Sequence, residues 1–247
     1  MTVHFENRGP VTVITLDRPE RRNAVDRATA AELYDAARRF ESDADARVLV
    51  VAGRDEAFCA GADLKVLDND VGSVGGPMGF TRLRFEKPVI AAIEGWCVAG
   101  GLEIALACDL RLAARSSKFG CLERRFGVPL IDGGTQRLWR VVGLGRALDL
   151  MLTGRAIDVN EAERIGLVNR IVDDGQAKSA AVALAEEIAS FPWPTVLADR
   201  SSLYDGIGRP LEEGLAIEAR RGMDVLTTGA EGAARFASGQ GRHGTER

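Results

Sequence analysis

The sequence has 247 residues, of which 46% are hydrophobic, and this suffices for one sizeable buried core with room for an appendage. Charged residues make up 28% and the net charge is −4 without a long basic run, which argues against nucleic acid as the main partner. No stretch approaches the roughly 18 uninterrupted apolar residues of a membrane span, so no membrane partner is expected.

Cysteine and histidine usage narrows the chemistry. The four cysteines form no C-x-x-C pair and the N-terminus carries no recognisable signal peptide, which favours reduced thiols and a cytoplasmic location. The two histidines, His4 and His243, lie near the termini, where neither suits a Ser-His-Asp triad or a zinc site. We therefore expect no metal centre, and carboxylates remain as the acid–base groups.

The first half of the chain predicts an α/β arrangement. Alternating apolar and polar residues over 4–7 and 11–17 indicate a β-hairpin. Apolar residues at helical spacing predict a helix over 26–40, with Asp26 as its N-cap. Three apolar runs predict buried strands, and a helix over 100–107 lies between the last two runs. These runs are 47–52, 88–93 and 109–113.

The second half is mostly helical. The patterns predict short helices, one more strand over 167–172, an amphipathic helix and, after a proline break, three further helices. The helices are placed at 135–142, 146–153, 160–165, 180–189, 195–203, 211–226 and 230–237. We expect an α/β body over 1–190 and an all-helical region over 191–247. The glycine-rich segment 72–79 is interpreted as a flexible loop over the site or a plain surface connector.

Two glycine-containing turns follow neighbouring predicted strands. The run Cys59-Ala60-Gly61-Ala62-Asp63-Leu64 comes after the strand over 47–52, and a helix beginning near Ala62 would direct free N–H groups towards a polarised oxygen. Gly100-Gly101 follows the strand over 88–93 in the same way. Two such turns could place two N–H donors on one carbonyl oxygen, as in an oxyanion hole. Either turn alone could equally be tight packing without a ligand.

Two glutamates accompany these turns. Glu103 falls in the first turn of the predicted helix, where the helix dipole favours a carboxylate, so taken alone it is interpreted as a surface cap residue. Glu123, taken alone, is interpreted as solvated. Together, a carboxylate beside a glycine turn and a second one returned by the chain could share a water, polarise a carbonyl and move protons. The pair makes the chain an enzyme candidate.

A series of motifs runs through nearly the whole chain. The motifs are Thr15-Leu16-Asp17-Arg18-Pro19 with Asn23-Ala24, Phe58 to Leu64, Gly95 to Glu103 with Cys108-Asp109, Gly133 to Leu138, Leu152 to Arg155, and Glu231-Gly232 through Phe236 to Gly241-Arg242. In these motifs and their order the chain resembles the enoyl-CoA hydratase (crotonase) superfamily. The resemblance implies an α/β fold, a crotonase-like spiral of repeated ββα units with a C-terminal helical oligomerisation region.

The same resemblance implies binding roles by position. The backbone N–H groups of Ala62 and Gly100 would hold a thioester oxygen, and Ala60 would lie near the adenine of CoA. Further residues would line the CoA groove, with the basic ones near phosphates; these are Asp63, Leu64, Lys65 and Arg21. Either basic residue could equally be an exposed charge. No cofactor would be bound permanently, since CoA enters as part of the substrate.

Hydratases similar to this chain keep both glutamates at this spacing. The resemblance therefore implies a hydro-lyase that adds water across the 2,3 double bond of an enoyl-CoA thioester. In that role Glu103 would activate the attacking water and Glu123 would protonate C2. Carboxyl groups between an apolar pocket and a like charge should have raised pKa values.

Asp132 departs from the hydratase pattern, because Leu130-Ile131-Asp132 stands where Pro-Gly-x is typical. A third carboxylate here keeps a Δ3,Δ2-enoyl-CoA isomerase as the runner-up, although we favour a turn residue before Gly133-Gly134. Arg124 and Arg125 could form a salt bridge with Glu123 and blunt its acid role. A non-catalytic acyl-CoA binder is disfavoured because a scaffold has no need of buried acids.

The superfamily trimerises through C-terminal helices, often as two stacked trimers. Four leucines of the predicted helical region would otherwise be exposed on a small appendage. They are Leu203, Leu211, Leu215 and Leu226. The resemblance therefore implies a homotrimer or a dimer of trimers.

Overall fold

The structure is a computed structural model and describes residues 1–239. The chain divides into two compact units, residues 1–188 and the residues from 189 onward. The end of the predicted helical region lies outside the described residues, together with Gly241, Arg242 and His243.

Ten strands build two sheets within residues 1–239. In chain order they are β1 (Val3–Arg8), β2 (Val11–Leu16), β3 (Val48–Gly53), β4 (Ala57–Cys59), β5 (Val89–Ile93), β6 (Trp96–Val98), β7 (Leu110–Ala114), β8 (Lys118–Gly120), β9 (Ile157–Asp158) and β10 (Arg170–Val172). The larger sheet has the order β1-β2-β3-β5-β7-β10 and is parallel except for the predicted β1–β2 hairpin. The smaller sheet has the order β4-β6-β8-β9.

The smaller sheet was missed by the sequence patterns. Its strands contain two or three residues each, which is too short for an alternation to be seen. The pairs β3–β4, β5–β6 and β7–β8 each send a long strand to the larger sheet and a short strand to the smaller one. This arrangement places the ends of β4 and β6 side by side, because these two strands pair in parallel.

Nine α-helices lie within the described residues. They are α1 (Arg27–Ser42), α2 (Gly100–Ala107), α3 (Gly134–Val142), α4 (Leu144–Thr153), α5 (Val159–Arg164), α6 (Ala177–Ser190), α7 (Trp193–Gly206), α8 (Leu211–Met223) and α9 (Leu226–Ala237). Two short 3₁₀ helices span Pro19–Arg21 and Leu122–Phe126. Every predicted helix with a range above is present, with ends shifted by a few residues. None of these helices combines the length and the apolar character that crossing a membrane requires.

Helix boundaries follow local chemistry. The Asp26 carboxylate accepts a hydrogen bond from the Thr29 N–H at 2.8 Å, so the predicted N-cap of α1 is confirmed. The predicted strand over 167–172 is shorter than expected, because the N–H groups of Leu167 and Val168 donate to the carbonyl of Ala162 and close the end of α5.

The core of the first unit encloses α2 almost completely. Residues 100–106 are all buried, and the helix contacts β4, β6 and α3. Helix α1 packs against β1 and β2 of the larger sheet, and its Leu33, Ala37 and Phe40 are fully buried. Burial of a leucine or phenylalanine side chain contributes about 1.5–3 kcal/mol. A glutamate in the first turn of α2 is therefore held in an apolar, rigid environment.

The glycine-rich segment 72–79 is not a flexible loop or a surface connector over its whole length. From Gly75 to Thr81 the chain is buried. The Asn69 side-chain amide donates to the carbonyls of Val25 and Pro77, at 3.1 and 3.0 Å, and ties the segment down. Only the residues before Gly75 are largely accessible.

The described part of the second unit, residues 189–239, is mainly helical. Helix α8 packs on α7, and α9 also contacts α7. The four leucines named above are each more than half exposed.

Candidate active site

A cavity of about 600 Å³ lies within the first unit. This volume is in the range of ligand sites. Its wall is largely apolar and is formed by the turns after β4 and β6, the segment before β5, the second 3₁₀ helix and the segment before α3. Apolar residues of the wall that sequence reasoning did not assign include Met78, Leu122, Phe126, Pro129 and Ile131. Three acidic residues also line it, and they are Glu103, Glu123 and Asp132.

The structure brings the two predicted N–H donors to this cavity. Ala62 forms a bridge with Val25, in which Val25 donates to the Gly61 carbonyl and accepts from the Asp63 N–H. The Ala62 N–H therefore faces away from Val25. Gly100 begins α2, so its N–H has no partner within the helix. Neither N–H has a hydrogen-bond acceptor among residues 1–239, and both residues line the cavity.

Gly61 allows the two turns to approach. It has φ +98°, and a Cβ there would lie 2.8 Å from the Ala99 Cβ and 2.9 Å from the Gly100 nitrogen. Ala99 has φ +52° and ψ −129°, a backbone conformation that costs a residue with a side chain about 1–3 kcal/mol. Ala99 directly precedes Gly100, and its ψ angle sets the direction of the Gly100 N–H group.

The predicted helix beginning near Ala62 is wrong. The chain makes a single turn in which the Leu67 N–H donates to the Asp63 carbonyl at 2.8 Å, and Leu67 ends the turn at φ +48°. The Ala62 donor is thus aimed by the bridge to Val25 rather than by a helix terminus.

The residues predicted for the CoA groove divide into two groups. Ala60 and Leu64 line the cavity, whereas Arg21 and Lys65 lie outside its lining. Asp63 is also outside, because it is buried and its carboxylate accepts from the Arg18 guanidinium at 3.0 Å. Asp63 therefore braces the turn that carries the Ala62 donor.

Glu103 is buried, so the interpretation as a surface cap residue is wrong. Its side chain is on the first turn of α2, and its Oε1 accepts hydrogen bonds from the backbone N–H groups of Asp132 at 2.9 Å and Gly134 at 2.7 Å. Burial raises the pKa of Glu103 to about 7, against the two N–H donors and with help from the charges of Asp132 and Glu123.

Glu123 is buried as well, so it is not a solvated residue. It lies on the second 3₁₀ helix, and among residues 1–239 neither of its carboxylate oxygens has a hydrogen-bond partner. Burial raises the pKa of Glu123, and the nearby charge of Arg124 opposes this only in part. The two glutamates share one cavity, and the charge on Glu123 contributes to the raised pKa of Glu103.

The ion pair considered between Glu123 and its arginine neighbours is absent from the described residues. Arg124 Nε donates to the Met151 carbonyl at 3.3 Å, and Arg125 Nε donates to the Gly154 carbonyl at 2.9 Å. Both guanidinium groups therefore bind the end of α4 instead of Glu123.

Asp132 is not a local turn residue as favoured from the sequence. Its Oδ1 accepts from the Thr81 hydroxyl at 2.5 Å and from the Met78 N–H at 3.2 Å, both about fifty positions earlier in the chain. Burial raises the pKa of Asp132. Thr81 and Met78 carry no sequence signal that would have assigned them to the site.

The arrangement offers two N–H donors for one oxygen and two carboxyl groups able to exchange protons beside it. No group of His, Cys, Asp or Glu side chains within residues 1–239 is arranged to bind a metal ion.

Comparison with known proteins agrees with this geometry. The family model for "Enoyl-CoA hydratase/isomerase" matches residues 6–238. A "Probable enoyl-CoA hydratase" of Rhizobium meliloti is 38% identical over 232 residues, which cover 92% of this chain and 90% of the relative.

Solved structures show the same fold. The structure of an enoyl-CoA hydratase from Mycobacterium marinum superposes with a TM-score of 0.90 at 36% identity and covers 96% of each chain. A Thermobifida fusca relative solved in complex with CoA has a TM-score of 0.82 at 28% identity and covers 93% of this chain and 95% of its own. The expected crotonase-like α/β fold is therefore confirmed, and the chain belongs to the enoyl-CoA hydratase/isomerase family.

Proposed function

We propose that this protein is an enoyl-CoA hydratase that adds water across the 2,3 double bond of an enoyl-CoA thioester. The observation that carries this proposal is the meeting, in one apolar cavity, of two buried glutamates and two backbone N–H groups without acceptors. The hydratase relatives of similar length support the same reaction class.

The N–H groups of Ala62 and Gly100 would bind the thioester oxygen. Attack of water at C3 moves the electrons of the double bond onto this oxygen and forms an enolate. Two donors that the fold holds in place stabilise that charge without reorganisation. The loss of one such donor typically raises a barrier by about 3–4 kcal/mol.

Glu103 suits the role of general base. The two N–H donors orient its carboxylate and favour the ionised form. Its pKa of about 7 leaves it both ionised in part and basic at neutral pH. It would take one proton from the water whose oxygen forms the new bond to C3.

Glu123 suits the role of general acid. Neither of its carboxylate oxygens has a hydrogen-bond partner among the described residues, and an apolar acyl chain in the cavity would remove more water from it. Its proton would pass to C2 and collapse the enolate. The product then carries hydroxyl at C3 and the added hydrogen at C2, and the proton left on Glu103 returns to Glu123 through solvent.

The CoA moiety would lie along the side of the cavity lined by Ala60 and Leu64. Arg21 and Lys65 are proposed to approach its phosphates, since phosphate binding needs cations within reach. The CoA complex of the Thermobifida fusca relative supports CoA as part of the substrate. No permanently bound cofactor takes part in this proposal.

The helical region over 191–247 is proposed to form a homotrimer or a dimer of trimers. The more than half-exposed side chains of Leu203, Leu211, Leu215 and Leu226 support this role. Light scattering tests it, and a particle of 26.5 kDa, the mass of one chain, would contradict it.

Isomerisation of a 3-enoyl-CoA is the second candidate, because the third acid, Asp132, also lines the cavity. The two reactions are separated by their products. A 2-enoyl-CoA should yield the 3-hydroxy thioester, whereas conversion of a 3-enoyl-CoA to a 2-enoyl-CoA without hydration would favour the isomerase.

The main test is kinetic. Glu103→Gln and Glu123→Gln should each lower kcat for crotonyl-CoA hydration at least about a hundredfold, because each removes one proton-transfer group. Binding of the CoA thioester should change little. Glu163→Gln on the exposed side of α5 is the matched control and should keep full activity. Near-normal turnover in either active-site variant would refute the assignment.

A further inference from the structure

Two chain segments meet directly beside Glu103. One is 76–82, which begins in the buried end of the glycine-rich segment and runs on to the exposed Arg82, and the other is 131–134, which leads into α3. The second segment supplies both N–H donors to the Glu103 carboxylate. Whatever holds these segments together therefore also holds the proposed general base.

Asp132 joins the two segments through its side chain. Its Oδ1 is shared between the Thr81 hydroxyl and the Met78 N–H. The residue before Asp132 is also hydrogen-bonded to the first segment, since Arg82 Nη2 donates to the Ile131 carbonyl at 3.2 Å. Asp132 thus donates its backbone N–H to Glu103, while its side chain accepts hydrogen bonds from the segment 76–82.

Arg137 makes a second connection. Its guanidinium donates through Nη1 to the Asp132 carbonyl at 3.0 Å and through Nη2 to the Thr81 carbonyl at 2.6 Å. A planar fork of this kind fixes the distance between two acceptors. We call Thr81, Asp132 and Arg137 the Glu103 clamp.

Gly76 leaves the space that the clamp needs. It has φ +79°, and a Cβ there would lie 2.7 Å from the Thr81 Oγ1 and 2.8 Å from the Asp132 Oδ1. A residue with a side chain at position 76 would therefore collide with the hydrogen-bonded oxygens of Thr81 and Asp132.

We propose that Asp132 is a positioning residue of this enzyme, which through Thr81 fixes the two backbone donors on Glu103 and so holds the base towards the reacting water. This inference rests on the proposed hydratase function. It differs from a role as a third catalytic acid, because Oδ1 is already engaged by the Thr81 hydroxyl and the Met78 N–H.

The charge of Asp132 also affects the pKa of Glu103. Asp132, Glu123 and Glu103 are acidic groups of one cavity, and their ionised forms repel one another. The charges of Arg82 and Arg137 act on Asp132, and that of Arg124 acts on Glu123. Removing the charge of Asp132 while keeping its geometry should lower the pKa of Glu103, because one repulsive neighbour is lost.

Two matched pairs of variants test the proposal in the full-length protein. Thr81→Val keeps the shape but loses the hydroxyl donor, and Thr81→Ser keeps the hydroxyl. Thr81→Val should lower kcat for crotonyl-CoA about tenfold with KM nearly unchanged. Thr81→Ser, which keeps the hydroxyl donor, should keep most of the wild-type kcat. Asp132→Asn keeps an oxygen acceptor for the Thr81 hydroxyl and removes the charge, so it should lower kcat less than Thr81→Val does and move the acidic limb of the kcat/KM profile to lower pH. Asp35→Asn on the exposed face of α1 is the charge control.

The kinetic results distinguish a positioning role of Asp132 from a catalytic or a merely structural one. A loss in Asp132→Asn as large as that in Glu123→Gln, with normal Thr81→Val, would make Asp132 a catalytic acid and overturn the proposal. Lower melting temperatures with unchanged kcat and an unshifted pH profile would leave only a structural role and overturn it as well. An inactive wild-type protein that still binds the CoA thioester would instead refute the proposed function.

Discussion

The surroundings of Glu103 and those of Glu123 differ although both residues line one cavity. Glu103 lies on a buried helix, with two backbone N–H groups on one carboxylate oxygen. Glu123 lies on a short 3₁₀ helix, and neither of its oxygens has a partner within residues 1–239. Burial raises both pKa values, and only Glu103 accepts hydrogen bonds from a distant segment of the chain.

This difference separates a carboxylate that is fixed by two donors from one whose oxygens have no partner within residues 1–239. Both residues are buried glutamates, so the hydrogen-bond donors that orient Glu103 distinguish the proposed base from the proposed acid. An unpaired buried carboxyl is normally costly, and its presence here is typical of a site that completes its contacts with a ligand.

Of the substitutions considered, Gly134→Ala should disturb the position of the Glu103 carboxylate, and with it kcat, most strongly. A Cβ at Gly134 would lie 2.9 Å from the Glu103 Oε1, so the flexible carboxylate would have to move off its donors. We expect kcat to fall about a hundredfold, because misplacement of about 1 Å has that cost, while the melting temperature changes little.

Gly145→Ala is the matched control. It lies in the first turn of α4, where a Cβ would meet no atom within 4 Å. Equal activities of the two variants would mean that the Glu103 position does not depend on the Gly134 donor.

The pH profile of kcat/KM should sharpen the comparison. A general base must be ionised, so the rate should fall about tenfold for each pH unit below the pKa of Glu103, which is about 7. Glu123 must keep its proton, so its raised pKa should set the alkaline limb. An acidic limb centred near 4.5, the ordinary value of a glutamate, would contradict the raised pKa of the base.

The pH dependence of stability has a defined sign. The pKa of Glu103 is about 7 in the folded protein and about 4.5 in the unfolded chain, so between these values the folded state binds more protons. The free energy of unfolding should therefore decrease by about 2 kcal/mol from pH 5.5 to 7.5, at about 1.4 kcal/mol per pH unit below the pKa. Urea titrations of the wild type measure this decrease.

Glu103→Gln should flatten that decrease, because it removes the titrating group. The raised pKa values of Glu123 and Asp132 act in the same direction, so part of the slope should remain. An unchanged slope in Glu103→Gln would assign the whole effect to the other two carboxyl groups.

Replacing Arg124 and Arg125 tests the Glu123 side and should have the smallest effects. Neither side chain pairs with Glu123, so kcat for Arg124→Ala and Arg125→Ala should stay within about threefold of the wild type. Arg124→Ala should move the alkaline limb slightly to higher pH, because the charge of Arg124 lowers the pKa of Glu123. A large loss of kcat in either variant would revive a direct role for these arginines.

Much of the fold could be predicted from the sequence because its signals are local. Apolar runs indicated the long buried strands, helical spacing indicated the helices, and Asp26 indicated the start of α1. The smaller sheet could not be predicted, because strands of two or three residues exist only through their pairing partners.

The site was predictable in its residue types but not in its contacts. Motif order pointed to Ala62, Gly100, Glu103 and Glu123, and the structure places all four on one cavity. It could not show that Asp63 would pair with Arg18, or that Asp132 would bind Thr81 across about fifty positions.

The amino-acid sequence alone determined which chemical groups this protein has available, two glutamates near two glycine turns, and the order of strands and helices that carries them. Only the tertiary structure decided that one glutamate receives two N–H donors and the other none, because burial and hydrogen bonding depend on segments far apart in the chain. Burial in the folded chain is the main cause of the raised pKa of both glutamates, and hydrogen bonds and neighbouring charges modify it.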